Sequence, residues 1–509
     1  MLFTYFGPGD ALNLAFYNSI SDDADIDFVS ATPTRIVLHN PSTGVFTALI
    51  GTGLPTTEAE LLTTTGILTG WTSTLGGNTI ASITGLSWGV AEFARAIDEL
   101  MSEDNPGPIG ALLSRQPITI DASASTSGAT WWDESGRDGF DLGGVTSPVT
   151  FIGSSGADDF TGGLGNDTFT VTANRDDLGD SWYGSAGNDQ IHIQSGQGDS
   201  WVDLVYTNLG GPITAFVDGT TGTASVVKAG AGTDSVDGLG NLLGIGGYGI
   251  WGSDAADTFT IDTGAGGWMQ VNGGRGSDRY NITLTGDVRL LFSGSWEDGA
   301  TSGVNINLAT GQILNDGFGN VEALVVTDGD GWLEIEATNR ADTITGSARD
   351  ELFILRGGND TLNAGDGHDA LRYDRGASTS AVAVDLQAGT ATGTWEGVAF
   401  THQISGIDEI RGTDYGDTIR GSMVHDRLLG RDGNDLLDGR DGGDRLEGDA
   451  GNDTLIGGNG NDTLNGGNGD DRIEVGRSVM GGGDWVIGSA GSDTIVYSNI
   501  VADSGWNDL

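Results

Sequence analysis

Residues 430–474 consist of five units of nine residues, GRDGNDLLD, GRDGGDRLE, GDAGNDTLI, GGNGNDTLN and GGNGDDRIE. Glycine stands at position one, aspartate at position six, and leucine or isoleucine at position eight of every unit. Two less regular units, 412–420 and 421–429, keep these three positions and extend the series to seven. Such a repeat predicts similar structural units stacked on one another, each stabilised mainly by its neighbours.

Each unit divides into a six-residue turn and a three-residue strand whose position-eight side chain points inward. Two units close one coil of 18 residues, and successive coils stack at about 4.8 Å, the usual spacing between strands. Aspartates 18 residues apart therefore line up in two columns. The first column contains Asp417, Asp435, Asp453 and Asp471, and the second contains Asp426, Asp444 and Asp462.

A column of carboxylates repels itself unless a cation lies between neighbouring turns. Calcium accepts six to eight oxygen ligands, including carboxylates and the carbonyls that glycine turns expose. Transition metals prefer histidine or cysteine, and the chain has five scattered histidines and no cysteine. We therefore predict several Ca²⁺ ions. The predicted ligands in the regular block are Gly430, Asp432, Gly433, Asp435, Gly439, Asp441, Gly442, Asp444, Gly448, Gly451, Asp453, Gly457, Asn459, Gly460, Asp462, Gly466, Asn468, Gly469 and Asp471.

Weaker units supply further candidates. These are Asp417, Asp426, Asp484, Asp493, Asp360, Asp369, Asp167 and Asp278. Tyr415 and Val424 stand where glycine is expected, so their turns could be structural coils without an ion. The upstream matches could likewise be turns that are merely rich in glycine and aspartate. A four-residue insertion, VGRS, interrupts the pattern after 474, and we expect the columns to stop there and the 479–496 coils to be offset.

The nonapeptide resembles that of the RTX (repeats-in-toxin), hemolysin-type calcium-binding proteins. The resemblance implies a right-handed parallel β-roll that folds on calcium binding. It also implies type I secretion of an unfolded chain from a Gram-negative bacterium, and hence an extracellular protein. The last residues, VADSGWNDL (501–509), are a candidate secretion signal.

The upstream chain repeats the unit with defects, and alternating strands at 213–222, 304–312 and 382–393 precede several of its blocks. We predict an all-β chain in three parts: an N-terminal module (1–117), degenerate coils with lateral strand insertions (118–411), and a regular roll with a C-terminal cap (412–509).

The N-terminal module lacks the nonapeptide. Residues 34–51 are predicted to form a hairpin around NPSTG, and 65–85 two short strands. Residues 88–103 are predicted to form a helix ended by Pro106 and Pro108. Its apolar face would contain Val90, Phe93, Ala94, Ile97 and Leu100. The module resembles one found on other secreted RTX proteins, and that resemblance implies no activity.

The net charge of −50 argues against nucleic acid as a partner, because phosphate binding needs a basic surface. No run of 18 apolar residues predicts a transmembrane helix, and the first residues lack a signal-peptide pattern. Tryptophans at 131, 132, 182, 201, 251 and 268 could stack on sugars, but burial beneath the insertions is favoured. An ice-binding ladder is disfavoured because position three varies from aspartate to methionine and alanine.

One motif suggests an enzyme. GLSWG (85–89) fits G-x-S-x-G between a strand and a helix, which would make Ser87 the nucleophile of a secreted hydrolase. Too few residues precede the repeats for an α/β-hydrolase sheet, and the chain contains no zinc-protease HExxH. We predict a non-enzymatic protein with a structural, adhesive or surface-layer role, binding cell-surface polysaccharide or assembling with itself.

Overall fold

Strands make up most of the regular structure of the chain, for which we use a computed structural model. The structure describes residues 2–5, 27–40, 45–57, 60, 64–75, 78–103, 107–123, 144–154, 156–172, 179–194, 200–242, 246–292, 300–375, 378–476 and 483–497. Internal contacts divide the chain into two units, Met1–Gly276 and Ser277–Leu509. The predicted three-part division stays a prediction.

The first unit begins with an antiparallel sheet and two helices. Its strands are β1 (Leu2–Tyr5), β2 (Asp27–Thr32), β3 (Arg35–Asn40), β4 (Val45–Thr52), β5 (Ile67–Leu75) and β6 (Asn78–Gly89). Its helices are α1 (Val90–Glu103) and α2 (Gly107–Leu113). Strands β3 and β4 form the predicted hairpin, and β5 and β6 the next two strands. Residues 41–44, Pro106 and the side chains of Ile97 and Leu100 lie outside the described residues.

Helix α1 packs through an aromatic cluster. Phe93 lies with its ring centroid 5.8 Å from that of Trp71 and 5.6 Å from that of Trp88. Val90 and Phe93 are buried, as the predicted apolar face requires, and Ala94 is half-buried. The helix starts two residues later than predicted because β6 continues to Gly89.

Parallel coils follow in the first unit, with one strand on each of two faces. Face A contains β7 (Ile118–Asp121), β8 (Val149–Ile152), β10 (Thr168–Thr172), β12 (Gln190–Gln194), β14 (Ile213–Asp218), β15 (Thr223–Lys228), β16 (Gly232–Asp237) and β18 (Thr258–Asp262). Face B contains β9 (Asp159–Thr161), β11 (Asp180–Tyr183), β13 (Ser200–Val205), β17 (Gly246–Trp251) and β19 (Trp268–Asn272). Leu239–Leu242 forms a 3-10 turn. Strand β1 pairs with both β6 and β7, so the antiparallel sheet continues into face A.

The second unit repeats this two-faced arrangement. Face A contains β20 (Arg279–Thr283), β22 (Asn305–Asn307), β23 (Gln312–Asn315), β24 (Glu322–Thr327), β26 (Thr343–Thr345), β28 (Thr361–Asn363), β30 (Ala383–Asp385), β31 (Thr390–Trp395), β32 (Val398–Ser405), β34 (Thr418–Arg420), β36 (Leu436–Asp438), β38 (Thr454–Ile456), β40 (Arg472–Val475) and β42 (Thr494–Tyr497). Face B contains β21 (Asp287–Leu291), β25 (Leu333–Glu336), β27 (Glu351–Ile354), β29 (Ala370–Arg372), β33 (Glu409–Arg411), β35 (Arg427–Asp432), β37 (Arg445–Ala450), β39 (Thr463–Asn468) and β41 (Trp485–Ala490). Leu308–Thr310 forms a 3-10 turn.

The predicted lateral insertions are present as three-stranded antiparallel meanders within face A. In the first, β14, β15 and β16 pair antiparallel with one another, while β16 pairs in parallel with β12 and β14 with β18. Strands β22–β24 and β30–β32 form the second and third in the same way. Each meander therefore stacks between two ordinary coils of its face.

The core of the regular roll contains one aliphatic side chain per nonapeptide. Each position-eight side chain has no exposed surface, and each contributes about 1.5–3 kcal/mol through burial. They are Ile419, Leu428, Leu437, Leu446, Leu455, Leu464 and Ile473. The predicted all-β parallel β-roll is confirmed, and its core is as narrow as the sequence indicated.

The predicted offset of the last coils is wrong. Leu464 of β39 lies opposite Val486 of β41, 22 residues later, and both belong to position eight of their units. The backbone ladder and the inward side chains fix the register of β41, so the four extra residues must fall between Val475 and Trp485. Both aspartate columns continue through the last coils.

Candidate metal-binding turns

The aspartates of position six form two ladders through one carboxylate oxygen. In the first column the N–H of Asp417 donates to Oδ1 of Asp435 at 2.6 Å, and Asp435 donates likewise to Asp453 at 2.8 Å. Asp453 donates to Asp471 at 2.9 Å. The second column links Asp426, Asp444, Asp462 and Asp484 in the same way. Asp493 follows Asp471, and each ladder step joins neighbouring coils.

The second carboxylate oxygen, Oδ2, has no hydrogen-bond partner at many of these positions, although it is buried. A buried oxygen without a partner costs about 1–3 kcal/mol, and more when it is charged. Native proteins contain few such atoms, so a series at equivalent positions indicates a missing ligand. The series consists of Asp369, Asp435, Asp444, Asp453, Asp462, Asp471 and Asp484. Oδ2 of Asp360 instead lies 3.1 Å from Nε2 of the buried His402.

Oxygens are the nearest atoms to the space in front of these Oδ2 atoms. A Cβ added to Gly430 would lie within 3.0 Å of both Oδ2 of Asp435 and the carbonyl oxygen of Gly448. Gly439 has the same relation to Asp444 and Gly457. Within the described residues no three His, Asp or Glu side chains converge, so backbone carbonyls must complete any such site. Carboxylate and carbonyl oxygens are the ligands that Ca²⁺ prefers.

Burial also makes these carboxylates unusually basic. It raises the pKa of Asp435 and Asp444 to about 7 and that of Asp453 to about 6, against the lowering effect of the ladder hydrogen bond. Neighbouring aspartates of the column raise the pKa further. Each carboxylate is thus held in a place that disfavours its charge unless a cation accompanies it.

In a second kind of turn, both carboxylate oxygens of position six accept hydrogen bonds from within the protein. The N–H of Thr413 donates to Oδ2 of Asp417 at 2.6 Å, and its hydroxyl donates to Oδ1 at 2.8 Å. Ser422 donates to Asp426 in the same manner. We call a turn closed when its position-two N–H bonds to the far oxygen of position six. The closed turns are 153–158, 162–167, 252–257, 337–342, 346–351, 412–417 and 421–426.

The backbone at position two separates the two kinds. Turns whose position-two residue has a left-handed φ are called open, and examples are Arg431 (81°), Arg440 (72°) and Asp449 (69°). A left-handed residue other than glycine costs about 1–2 kcal/mol, so the surrounding coil must hold it there. Open turns include 355–360, 364–369, 430–435, 439–444, 448–453, 457–462, 466–471 and 488–493.

A family model describes this repeat. The model of the RTX calcium-binding nonapeptide repeat (4 copies) matches residues 149–178, 336–379, 404–437, 423–455, 438–473 and 480–496. The chain carries RTX calcium-binding nonapeptide repeats in several copies between residues 149 and 496. A search of curated proteins gave no match. The RTX matches cover closed and open turns alike, so the family pattern does not separate them. Among the described residues, no helix has the length and apolarity needed to cross a membrane.

The other predicted RTX ligands fall into three groups. The position-three side chains of Asp432, Asn459 and Asn468 are exposed, and Asn459 donates to Asp441 at 2.6 Å. The position-four glycines have φ between 132° and 151° and face the position-four carbonyl of the preceding coil. They are Gly433, Gly442, Gly451, Gly460 and Gly469. At position one, glycine has no Cβ that would fill the space in front of Oδ2. These glycines are Gly430, Gly439, Gly448, Gly457 and Gly466.

Four predicted aspartates differ from the rest. Asp167, Asp417 and Asp426 lie in closed RTX turns, where protein donors bind both of their oxygens. Asp278 is buried. The burial of Glu322 and, as the second cause, the charge of Asp278 raise the pKa of Glu322 to about 10.

Sequence reasoning overlooked positions two and five. Oδ1 of Asn434 accepts the N–H of Asn452 at 2.7 Å, and Asn452 accepts that of Asp470 at 2.8 Å. His425 takes part in this position-five ladder through Nδ1, which accepts the N–H of Gly443 at 2.7 Å. The recurrence of asparagine and aspartate at position five was a visible signal for the ladder. Serine or threonine stands at position two of six of the seven closed turns, which was a visible signal for them. The signal is not strict, because Ser489 lies in an open turn and Gly163 in a closed one.

Two further candidate residues lie outside the turns. Ser87 is exposed on β6, three residues before α1, and Gly85 has a φ of 75° at a bulge between β5 and β6. The tryptophans follow the favoured prediction where they are described: Trp182 and Trp251 are buried, and Trp201 and Trp268 are half-buried. Trp131 and Trp132 lie outside the described residues.

Proposed function

We propose that this RTX chain is a secreted protein with a structural, adhesive or surface-layer role, whose roll folds when calcium binds outside the cell. The observation that carries the proposal is the series of buried Oδ2 atoms without partners in the open turns. Calcium would supply the divalent charge that these oxygens need. Without it, the stacked carboxylates repel one another in a poorly solvated place.

The residues of an open turn would hold the ion in a defined way. The ladder bond fixes Oδ1, so that Oδ2 of Asp435 points to the space in front of Gly430. The carbonyl of Gly448, one coil later, reaches the same space. Extracellular calcium modules bind with dissociation constants of about 10⁻⁴–10⁻³ M, far above cytosolic calcium levels. The chain would therefore remain unfolded and fit for export inside the cell.

Type I secretion machinery is the export route we propose, because the RTX resemblance implies it. The net charge of −50 supports a further partner, an acidic cell-surface polysaccharide or a second copy of the chain, bridged by calcium. Circular dichroism of the full chain against calcium tests the folding step. A sharp gain of β-structure on calcium addition is expected, whereas equal β-content in excess EGTA would contradict the proposal.

We also propose that the chain is not an enzyme, and the rival is a hydrolase with Ser87 as nucleophile. A fluorophosphonate probe separates the two, because it labels activated serines. No labelling above that of a Ser87→Ala variant is expected. Labelling that disappears in Ser87→Ala but persists in Ser82→Ala, a serine of the same strand, would establish the hydrolase.

A further inference from the structure

Lys228 is the only lysine among the 509 residues of this acidic chain, and it is buried. It ends β15, the middle strand of the first lateral insertion. Its side chain has no exposed surface, and neither do those of Asp189 and Asp234 beside it. Burying an ammonium is costly unless oxygens surround it, so its position calls for a physical reason.

Lys228 lies between two stacked RTX turns, one of which the sequence reasoning missed. Residues 229–237, AGAGTDSVD, form a degenerate nonapeptide with Asp234 at position six and a buried Val236 at position eight. Gly230 and Gly232, at positions two and four, have φ of 76° and 104°. This is the backbone of an open turn.

The turn 229–234 stacks on 184–189 as neighbouring coils do in the regular roll. The N–H of Gly187 donates to the carbonyl of Ala231 at 2.7 Å, and the N–H of Thr233 donates to the Asn188 side chain at 2.9 Å. The second bond reproduces the position-five ladder. A Cβ on Gly232 would collide with the carbonyl of Gly187, as one on Gly451 would with that of Gly433. The two turns are therefore related like consecutive turns of one column, although 45 residues separate them.

The ammonium of Lys228 contacts carboxylate and carbonyl oxygens of the two turns, the kinds of ligand that a cation between them would have. Nζ donates to Oδ2 of Asp189 at 2.7 Å, to the carbonyl of Ser185 at 2.5 Å, and to Oδ1 of Asp234. Oδ1 of Asp189 accepts the N–H of Asp167, and Oδ2 of Asp234 accepts the indole N–H of Trp182 at 3.3 Å. All four carboxylate oxygens thus have donors, unlike those of the open turns in the regular roll.

We propose that the Lys228 ammonium is a tethered replacement for calcium between turns 184–189 and 229–234. These turns then fold without calcium, and the space that Nζ fills is a latent calcium site, opened by removing the lysine. An ordinary buried ion pair would explain the two aspartates. It would not explain the carbonyl ligand, or the position of Nζ between position-six carboxylates of stacked turns.

The test is hydrogen exchange of the full chain, in EGTA and in millimolar calcium, for Lys228→Gln and wild type. In wild type we expect the amides of 184–194 and 229–237 to have the same protection in EGTA as in calcium. In Lys228→Gln we expect protection in EGTA to fall by about a hundredfold, as for loss of one partner of a buried ion pair, and to return with calcium. Arg275→Gln removes an exposed cation of the same unit and should change neither segment.

Two results would overturn the inference. One is wild-type protection that itself requires calcium. The other is a Lys228→Gln variant whose segments stay unprotected at every calcium concentration, since a true cation site would be refilled. Only the calcium rescue rests on the proposed calcium binding of the chain. If amide protection at residues 436–474 is also the same with and without calcium, the proposed function has failed. Wild-type protection of the Lys228 segments in EGTA still tests the tethered cation in that case.

Discussion

The coils at 149–194 and those at 430–474 are built from the same nonapeptide but stabilised differently. The first set has aromatic side chains inside: Phe151 and Phe160 lie 4.9 Å apart between ring centroids, and Phe160 lies 5.5 Å from Trp182. Their turns at 153–158 and 162–167 are closed. The second set has single leucines and isoleucines inside and open turns throughout.

The comparison shows that position two decides how the position-six carboxylate is neutralised. In a closed turn the carboxylate accepts hydrogen bonds from its own backbone and from a serine or threonine hydroxyl. In an open turn the position-two residue is left-handed, and the carboxylate depends on something outside the chain. Under the proposed function, larger apolar cores and closed turns stabilise the first set without an ion, whereas the second set requires a cation.

Calcium removal should produce the largest difference in amide protection between the two sets of coils. In EGTA we expect amide protection at 436–474 to fall by on the order of a hundredfold or more, because several unpaired carboxylates add their costs. Protection at 149–172 and 179–194 should change by less than about tenfold. Hydrogen exchange with peptide-level resolution measures both in one sample. Equal losses in both regions would show that open and closed turns do not differ in calcium dependence.

A pair of matched substitutions in one column gives the next largest effect. Asp453→Asn, in an open turn, should lower calcium affinity about tenfold, because calcium affinity follows the number of charged ligands. Asp417→Asn, in a closed turn, should cost about 1 kcal/mol of stability, with or without calcium, since only hydrogen bonds change. Calorimetric calcium titration and thermal melts at two calcium concentrations distinguish the variants. A similar loss of affinity in both would contradict the distinction.

Acid should partly replace calcium. The pKa values of Asp435 and Asp444 rise from 3.8 to about 7 on folding, so the folded chain holds protons that the unfolded chain releases. This contribution to stability is complete below pH 3.8 and disappears as the pH rises through about 7. Circular dichroism of the calcium-free chain should show more β-structure at the acid end. The double variant Asp435→Asn, Asp444→Asn should flatten the profile, and an unchanged profile would contradict the assignment.

Opening a closed turn should give the smallest effect. Ser422→Gly and Ser422→Ala both remove the hydroxyl bonds to Asp426 and should each cost about 1 kcal/mol in EGTA. Of the two replacements, glycine adopts the left-handed backbone of an open turn at lower cost than alanine. Calcium should therefore restore the stability of Ser422→Gly but not of Ser422→Ala, as thermal melts would show. Equal responses of the two variants to calcium would show that the residue at position two does not set the turn type.

Much of the fold could be predicted because the repeat is strictly local. The nonapeptide spacing gave the coils, the two columns and the buried position-eight residues, and the alternating strands gave the three insertions. The offset prediction failed because it treated an insertion as a shift of everything after it. Hydrogen bonds between Asp462 and Asp484 and between β39 and β41 instead held the register.

The sequence by itself determined that aspartates recur every 18 residues around a narrow aliphatic core, since strand alternation and glycine turns allow little else. Tertiary structure decided which of those aspartates have both carboxylate oxygens bonded within the protein and which leave one oxygen without a partner. Gly163 belongs to a closed turn and Gly458 to an open one. Ser422 and Ser489 differ in the same way, so the residue type at position two does not by itself fix the turn. Lys228 meets Asp189 only because a meander folds back across 39 residues. Charge compensation in this roll depends on what stacks above and below each turn.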